Sequence, residues 1–158
     1  MNEVVFKDVQ MSQLSSRLGI PKTTVTKIWD TYINRLSRQI EEGKTVKFLN
    51  VCYLRVNDTE VKKGEGYQET LAYIAHEIAD ELSLSQVLVY RVLTSFEEYL
   101  ILDIQNLYCY SIRGICRIRL ERYGNSYKVR IKKSTKYNAM DVYISTISTF
   151  KRKVESAV

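Results

Sequence analysis

The stretch "EEGKTVKFLNVCYLRV", residues 41–56, decides how the chain is to be read. Gly43 is a residue type that ends helices, and the residues after it read as two strands, "KTVKFL" and "VCYLRV". They are split at Asn50, a residue type that tolerates positive φ in a turn. Upstream, Val25, Ile28, Trp29, Tyr32, Ile33, Leu36 and Ile40 form the stripe of a helix packed on one face. The spacing predicts one long helix over about 22–42, opened by Pro21, where a missing N–H does no harm. A short helix over about 8–18 precedes it and ends at the tight turn "LGIPK".

The same pattern returns 64 residues later without a gap. Leu18 matches Leu82, Val25 matches Val89, Leu36 matches Leu100, Ile40 matches Ile104, Cys52 matches Cys116 and Arg55 matches Arg119. Similar residues fill the intervals, among them Tyr32 with Phe96 and Phe48 with Ile112. Such self-similarity predicts an internal duplication. The second copy is then a helix over about 68–82, a turn "LSLSQ" with Ser85 as N-cap, a helix over about 85–106, and strands "LYCYSI" and "ICRIRL" split at Gly114. The fold class is α+β. The boundaries are a first repeat over 1–57, a polar linker over 58–67, and a second repeat over 68–158 that carries extra C-terminal elements.

Those extras begin with a hairpin. "ICRIRLERYGNSYKVRIKK" alternates apolar and charged residues around the turn signal "YGNS". The segment "NAMDVYISTISTFKRKVESAV" reads as an amphipathic helix over 138–158. Charge concentrates on this part of the chain. Arg113, Arg117, Arg119, Arg122, Lys128, Arg130, Lys132, Lys133 and Lys136 face one acid, Glu121, whereas the whole chain nets +6. These nine cations are the candidate contact residues for a nucleic acid or an acidic protein.

Several function classes lack support. A hydrophobic content of 45% and a charged content of 27% suit a globular protein, and no apolar run approaches a membrane span. The opening "MNEVVFKDVQ" does not read as a secretory signal, so a cytosolic origin is expected. Cys52, Cys109 and Cys116, with His76 as the only histidine, offer no zinc spacing and read as buried thiols. No metal or cofactor is expected. Glu97 and Glu98 read as a helix face rather than an acid–base pair, His76 reads as structural, and no enzymatic motif is present. "LSSRLGIPKTTVTKIWD" and "IADELSLSQVLVYRVL" mimic helix-turn-helix spacing. The second copy, however, would present Gln86, Leu88, Val89 and Tyr90, too apolar a set to read base edges.

The succession of short helix, tight turn, long helix and "EEGKTVKFLNVCYLRV" resembles the front half of the HU/IHF family of DNA-bending proteins. Gly43, Lys44, Val46, Phe48 and the strand 51–56 fall where that pattern places them. The resemblance implies that the long helix is a dimerisation helix, and that two copies in one chain form a built-in pseudo-dimer. Its core would be Trp29, Tyr32, Leu36 and Ile40 with Leu93, Phe96, Leu100 and Ile104. The family's Gly-Phe-Gly turn is replaced by "LNV" and "IRGI", and its long arm with a wedging proline is absent, since Pro21 is the only proline. Duplicated, armless and rich in tyrosine, the chain resembles the IHF-like ring proteins of the crAss-like tailed bacteriophages. That likeness implies a structural virion protein at the portal–tail junction, assembled in the host cytoplasm. Its partners would be copies of itself in a cyclic ring and the neighbouring portal and tail proteins, with the basic hairpin free to touch DNA. The alternative implied by the same family is an architectural DNA-binding protein.

Overall fold

The computed structural model describes residues 4–56, 69–107 and 109–156; the expected linker over 58–67 lies outside them. The chain runs β1 (Val4–Val5), α1 (Phe6–Leu18), α2 (Lys22–Glu41), β2 (Val46–Phe48), β3 (Cys52–Val56), α3 (Leu71–Leu82), α4 (Gln86–Leu107), β4 (Cys109–Ile112), β5 (Cys116–Tyr123), β6 (Ser126–Lys133), β7 (Val142–Thr146) and α5 (Ser148–Ser156). A single 3-10 turn, Thr135–Tyr137, lies between β6 and β7. The order helix, helix, strand, strand thus occurs twice, and α2 and α4, like β3 and β5, begin 64 residues apart.

Local chemistry accounts for the helix ends. Past α2, Lys44 N–H donates to the Gln39 carbonyl at 2.9 Å across Gly43, whose φ is +82°. Thr70 caps α3 by accepting from Tyr73 N–H at 3.1 Å. Ser85 accepts from Leu88 N–H at 3.4 Å, the N-cap role its sequence position predicts. After residues 57–68, Glu69 is held to α2 by a two-pronged pair with Arg35, Nε to Oε2 at 3.0 Å and Nη2 to Oε1 at 2.7 Å.

Two small sheets stand on the helices. One is antiparallel in the order β4, β5, β6, with the two-residue β1 added in parallel to β4. The other is antiparallel in the order β2, β3, β7. Here the structure corrects the helix expected over 138–158. Only Ser148–Ser156 is helical, with Phe150 and Val154 buried beneath it. Residues 142–146 form β7 instead, pairing Val142 with Val56 and Thr146 with Cys52. The open edge of β3 accounts for the difference, because β7 pairs its backbone there and buries Val142, whereas a helix over the same residues would leave that edge unpaired.

The two β-turns also differ from expectation. In the first, Val51 N–H bonds to the Phe48 carbonyl at 3.0 Å, and the positive φ falls on Leu49 (45°) rather than on Asn50. Leu49 is buried, its N–H donates to the Tyr32 hydroxyl at 2.8 Å, and Asn50 N–H donates to Glu97 Oε1 at 2.7 Å. Packing and these two bonds hold leucine where its own preference would not. In the matching turn Gly114 takes the positive φ, 84°, without that strain.

One core serves both halves. Trp29, Tyr32, Leu36, Ile40, Leu93, Phe96, Leu100 and Ile104 are all buried in it. The Trp29 ring meets Phe96 edge-on at 4.6 Å between centroids, which joins α2 to α4. Helix α1 packs on both α2 and α4, and α3 likewise packs on both.

Two polar clusters cross this core. Gln10 Nε2 donates to Asp103 Oδ2 and, at 3.0 Å, to the Tyr110 hydroxyl, which itself donates to Asp103 Oδ2 at 3.1 Å. Burial holds the Asp103 carboxyl above its ordinary range near 3.8, and the Tyr110 hydrogen bond only partly offsets this. The folded state therefore binds this proton more tightly than the unfolded chain does. That contribution to stability is complete below the ordinary carboxylate range and is lost as pH rises through the elevated folded value. Asp103→Asn keeps an oxygen for both donors and carries no charge. Urea midpoints are expected to match the parent in acid and to equal or exceed it at neutral pH; a variant that weakens as pH rises would contradict this account.

The second cluster runs from Lys136 Nζ to Ser37 Oγ (2.6 Å), from Ser37 to the Tyr137 hydroxyl (3.0 Å), and from that hydroxyl to the Gly114 carbonyl (2.5 Å). It ties α2 to the β4–β5 turn. Tyr137→Phe keeps the ring but strips the hydroxyl from buried Ser37 and from the half-buried Gly114 carbonyl, so a loss of about 1–3 kcal/mol is expected in chemical denaturation.

Candidate functional site

The sheet of β4, β5 and β6 turns one face to α4 and α5 and the other to solvent. Strand alternation sorts the residues. Cys116, Ile118, Leu120 and Val129 are buried, while Arg117, Arg119, Lys128, Arg130 and Lys132 are exposed on the outer face. The register sets Arg117 opposite Lys132, Arg119 opposite Arg130, and Glu121 opposite Lys128. Neighbouring strands lie about 4.8 Å apart and same-face residues about 7 Å apart along a strand, so the five cations form a compact grid.

Glu121 is the one carboxylate on this face of the hairpin. Arg119 Nε and Arg130 Nε each approach it at 3.6 Å, and the Tyr123 hydroxyl donates to it at 2.8 Å. The Arg130 guanidinium also lies 5.6 Å above the Tyr123 ring. Like charges placed directly opposite one another destabilise a sheet. Arg117 lies against Lys132 and Arg119 against Arg130, and Glu121 offsets the repulsion within the second pair.

The other four predicted cations are placed differently. Arg113 sits in the β4–β5 turn, where it and Arg117 border a shallow depression lined also by Ser111, Ser134 and Thr135. Arg122 Nε donates to the Gly124 carbonyl at 3.0 Å and braces the hairpin end. Lys133 Nζ donates to the Met140 carbonyl at 2.9 Å. Lys136 is engaged with Ser37 and, at 2.8 Å, with Glu41 at the end of α2. Five of the nine thus share one surface, with Arg113 at its end.

Two features are not evident from sequence. One is the bridging role of Glu121 and Tyr123 within the grid, which only the register reveals. The other is the exposure of large apolar side chains on the helices, Tyr73 on α3 and Val87 and Tyr90 on α4, Val87 by 77%. Its signal is the apolar first turn "QVLVY", which by itself says only that this turn is unsuited to DNA. Of the acids weighed as catalytic, Glu97 holds the Asn50 turn and Glu98 pairs with Arg17 at 3.5 Å. His76 is exposed on α3, with Nε2 3.4 Å from Asp80.

No family model matches the chain, and no curated protein matches it significantly. Among the described residues no helix is long and apolar enough to cross a membrane.

Proposed function

We propose that the chain is a non-enzymatic building block, a tandem and armless HU/IHF-like pseudo-dimer that serves as a ring component between portal and tail in a crAss-like bacteriophage virion. The observation that carries this reading is the shared core, in which each short helix packs on both long ones. A family that normally closes its core with a second subunit would here close it within one chain, leaving the outer surfaces for other contacts. Those surfaces are unlike one another, a cationic sheet face from the second half and helices α3 and α4 with Tyr73, Val87 and Tyr90 exposed. Unlike surfaces suit the head-to-tail contacts that close a ring. Exposed tyrosines supply contact area with a polar tip.

A second reading, an architectural DNA binder, is favoured by the five-cation grid. One experiment separates the two. Sedimentation of the purified protein and titration against linear, nicked and pre-bent DNA are run at low and near-physiological salt. The ring reading expects closed oligomers, or incorporation into purified particles, with DNA binding that is indifferent to shape and lost with salt. A monomer absent from particles that prefers bent or nicked DNA at physiological salt would overturn it in favour of the second.

A further inference from the structure

The sheet of β2, β3 and β7 has an outer face of its own. Strand alternation sends Val46, Phe48, Cys52, Leu54, Val56 and Val142 into the core. The positions between them turn outward: Lys47, Tyr53, Arg55, Tyr143 and Ser145. No acid stands among these five. The register sets Tyr53 between Lys47 and Ser145, and Arg55 opposite Tyr143. Lys47 Nζ lies 5.9 Å from the centre of the Tyr53 ring, and the Arg55 guanidinium carbon lies 5.9 Å from that of Tyr143. Neither cation has a carboxylate partner among the described residues. Arg55 Nε is enclosed and meets no acceptor among them. Tyr53 is half-buried and Tyr143 exposed.

We propose that this face binds single-stranded nucleic acid, with Tyr53 and Tyr143 as platforms for two bases and Lys47 and Arg55 as contacts for the phosphates beside them. Two aromatic rings and two cations without carboxylates match a polyanion that carries flat rings of its own. The tyrosines occupy a diagonal of the sheet, and residues so placed are about 7–8 Å apart. Bases in a duplex rise by roughly 3.4 Å per strand and turn their edges, not their faces, to the grooves. A strand with its bases splayed apart is the form that seats two of them on rings at this spacing. As each base covers a ring, the cation above that ring moves to a phosphate, and the Arg55 guanidinium gains the acceptor it lacks. An acidic protein segment would satisfy the cations and leave both rings without flat partners. The inference stands apart from the two readings above, since neither ring closure nor duplex bending uses a base face.

The test is fluorescence anisotropy at near-physiological salt with labelled probes of equal length: oligodeoxythymidine, its abasic counterpart and a duplex. The parent is expected to bind oligodeoxythymidine at least about tenfold more tightly than the abasic strand, which keeps the phosphates and offers no bases. Tyr53→Ala with Tyr143→Ala is expected to remove that margin, and Tyr53→Phe with Tyr143→Phe to retain it. Neither pair alters the net charge of +6, so both separate stacking from the charge attraction that reversing the hairpin arginines removes. Oligouridine is expected to follow oligodeoxythymidine, because base faces and phosphates are common to both. Trp29 fluorescence checks that each variant is folded. Crosslinking decides the matter on the parent protein if the alanine pair fails that check. An oligomer carrying 5-iodouracil is irradiated on the protein, which is then digested with trypsin. Adducts are expected on Tyr53 in peptide 48–55 and on Tyr143 in peptide 137–151. The proposal is overturned if the abasic strand binds as tightly as oligodeoxythymidine, if the folded alanine pair keeps full affinity, or if adducts fall only on Tyr123 or Tyr127 of the hairpin. It is also overturned if polyglutamate displaces the strand as well as unlabelled oligomer does, which would mark the face as a seat for an acidic protein.

Discussion

Leu36→Asp is expected to unfold both halves of the chain in one transition. Leu36 is 1% exposed and Leu100, its match on α4, is wholly buried. Truncating a buried leucine costs about 2–5 kcal/mol, and an unpaired carboxylate in its place adds several more. That sum is comparable with the roughly 5–15 kcal/mol that holds an ordinary domain together. Because α1 and α3 each pack on both long helices, no half retains a complete core once α2 is displaced. Trp29 fluorescence reports the α2–α4 contact, and amide exchange over residues 109–133 reports the second sheet. Both are expected to be lost together, and Leu100→Asp should act alike. The exposed Val87→Asp should leave both signals intact. If the second sheet stayed protected in Leu36→Asp, the idea of a single core would be wrong.

The combined variant Arg117→Glu, Arg119→Glu and Arg130→Glu is expected to abolish binding to any polyanion while leaving the fold in place. All three side chains are exposed on the outer sheet face, so the chain should stay folded, with some fall in thermal midpoint where the new carboxylates crowd Glu121. Each phosphate that is no longer neutralised takes roughly 0.9 off the salt slope of duplex binding. Three such phosphates, now facing three reversed charges, predict at least about a 100-fold fall in affinity at low salt. Fluorescence anisotropy with a labelled duplex reads this directly. Lys136→Met serves as the contrast. It loosens the bond to Ser37 and Glu41, so it should lower stability and spare binding. Unchanged affinity in the triple variant would remove the outer face from consideration as the contact surface.

The parts of the fold that are legible in the sequence are those governed by neighbours along the chain. The stripe from Val25 to Ile40 and its echo in α4 mark buried helix faces, and Gly43 and Ser85 mark helix ends by local bonding. The remainder is set by distant partners. Ile147, Phe150 and Val154 have helical spacing, which makes the whole segment from 138 read as helix. Only the edge of β3, far earlier in the chain, makes Val142–Thr146 a strand. Leu49 takes the left-handed conformation because Tyr32 and Glu97 hold the turn there, a condition that residue preference cannot encode. Alternation correctly assigns Arg117, Arg119, Lys128, Arg130 and Lys132 to one face. Lys133 and Lys136 leave the set because the Met140 carbonyl and Glu41 claim them.

The place of β7 beside β3 bears on how the protein is made. A ribosome delivers α1, α2, β2 and β3 before the third strand of their sheet, which follows only after α3, α4 and the strands β4, β5 and β6. At about 5–20 residues per second, roughly 4–17 s pass between the release of β3 and that of β7. Throughout that interval the nascent chain carries an uncovered strand edge, open to pairing with a neighbour on the same polysome. The sheet begun by β2 and β3 is thus started early and completed late, and a message cut before β7 yields a sticky fragment rather than a smaller working domain.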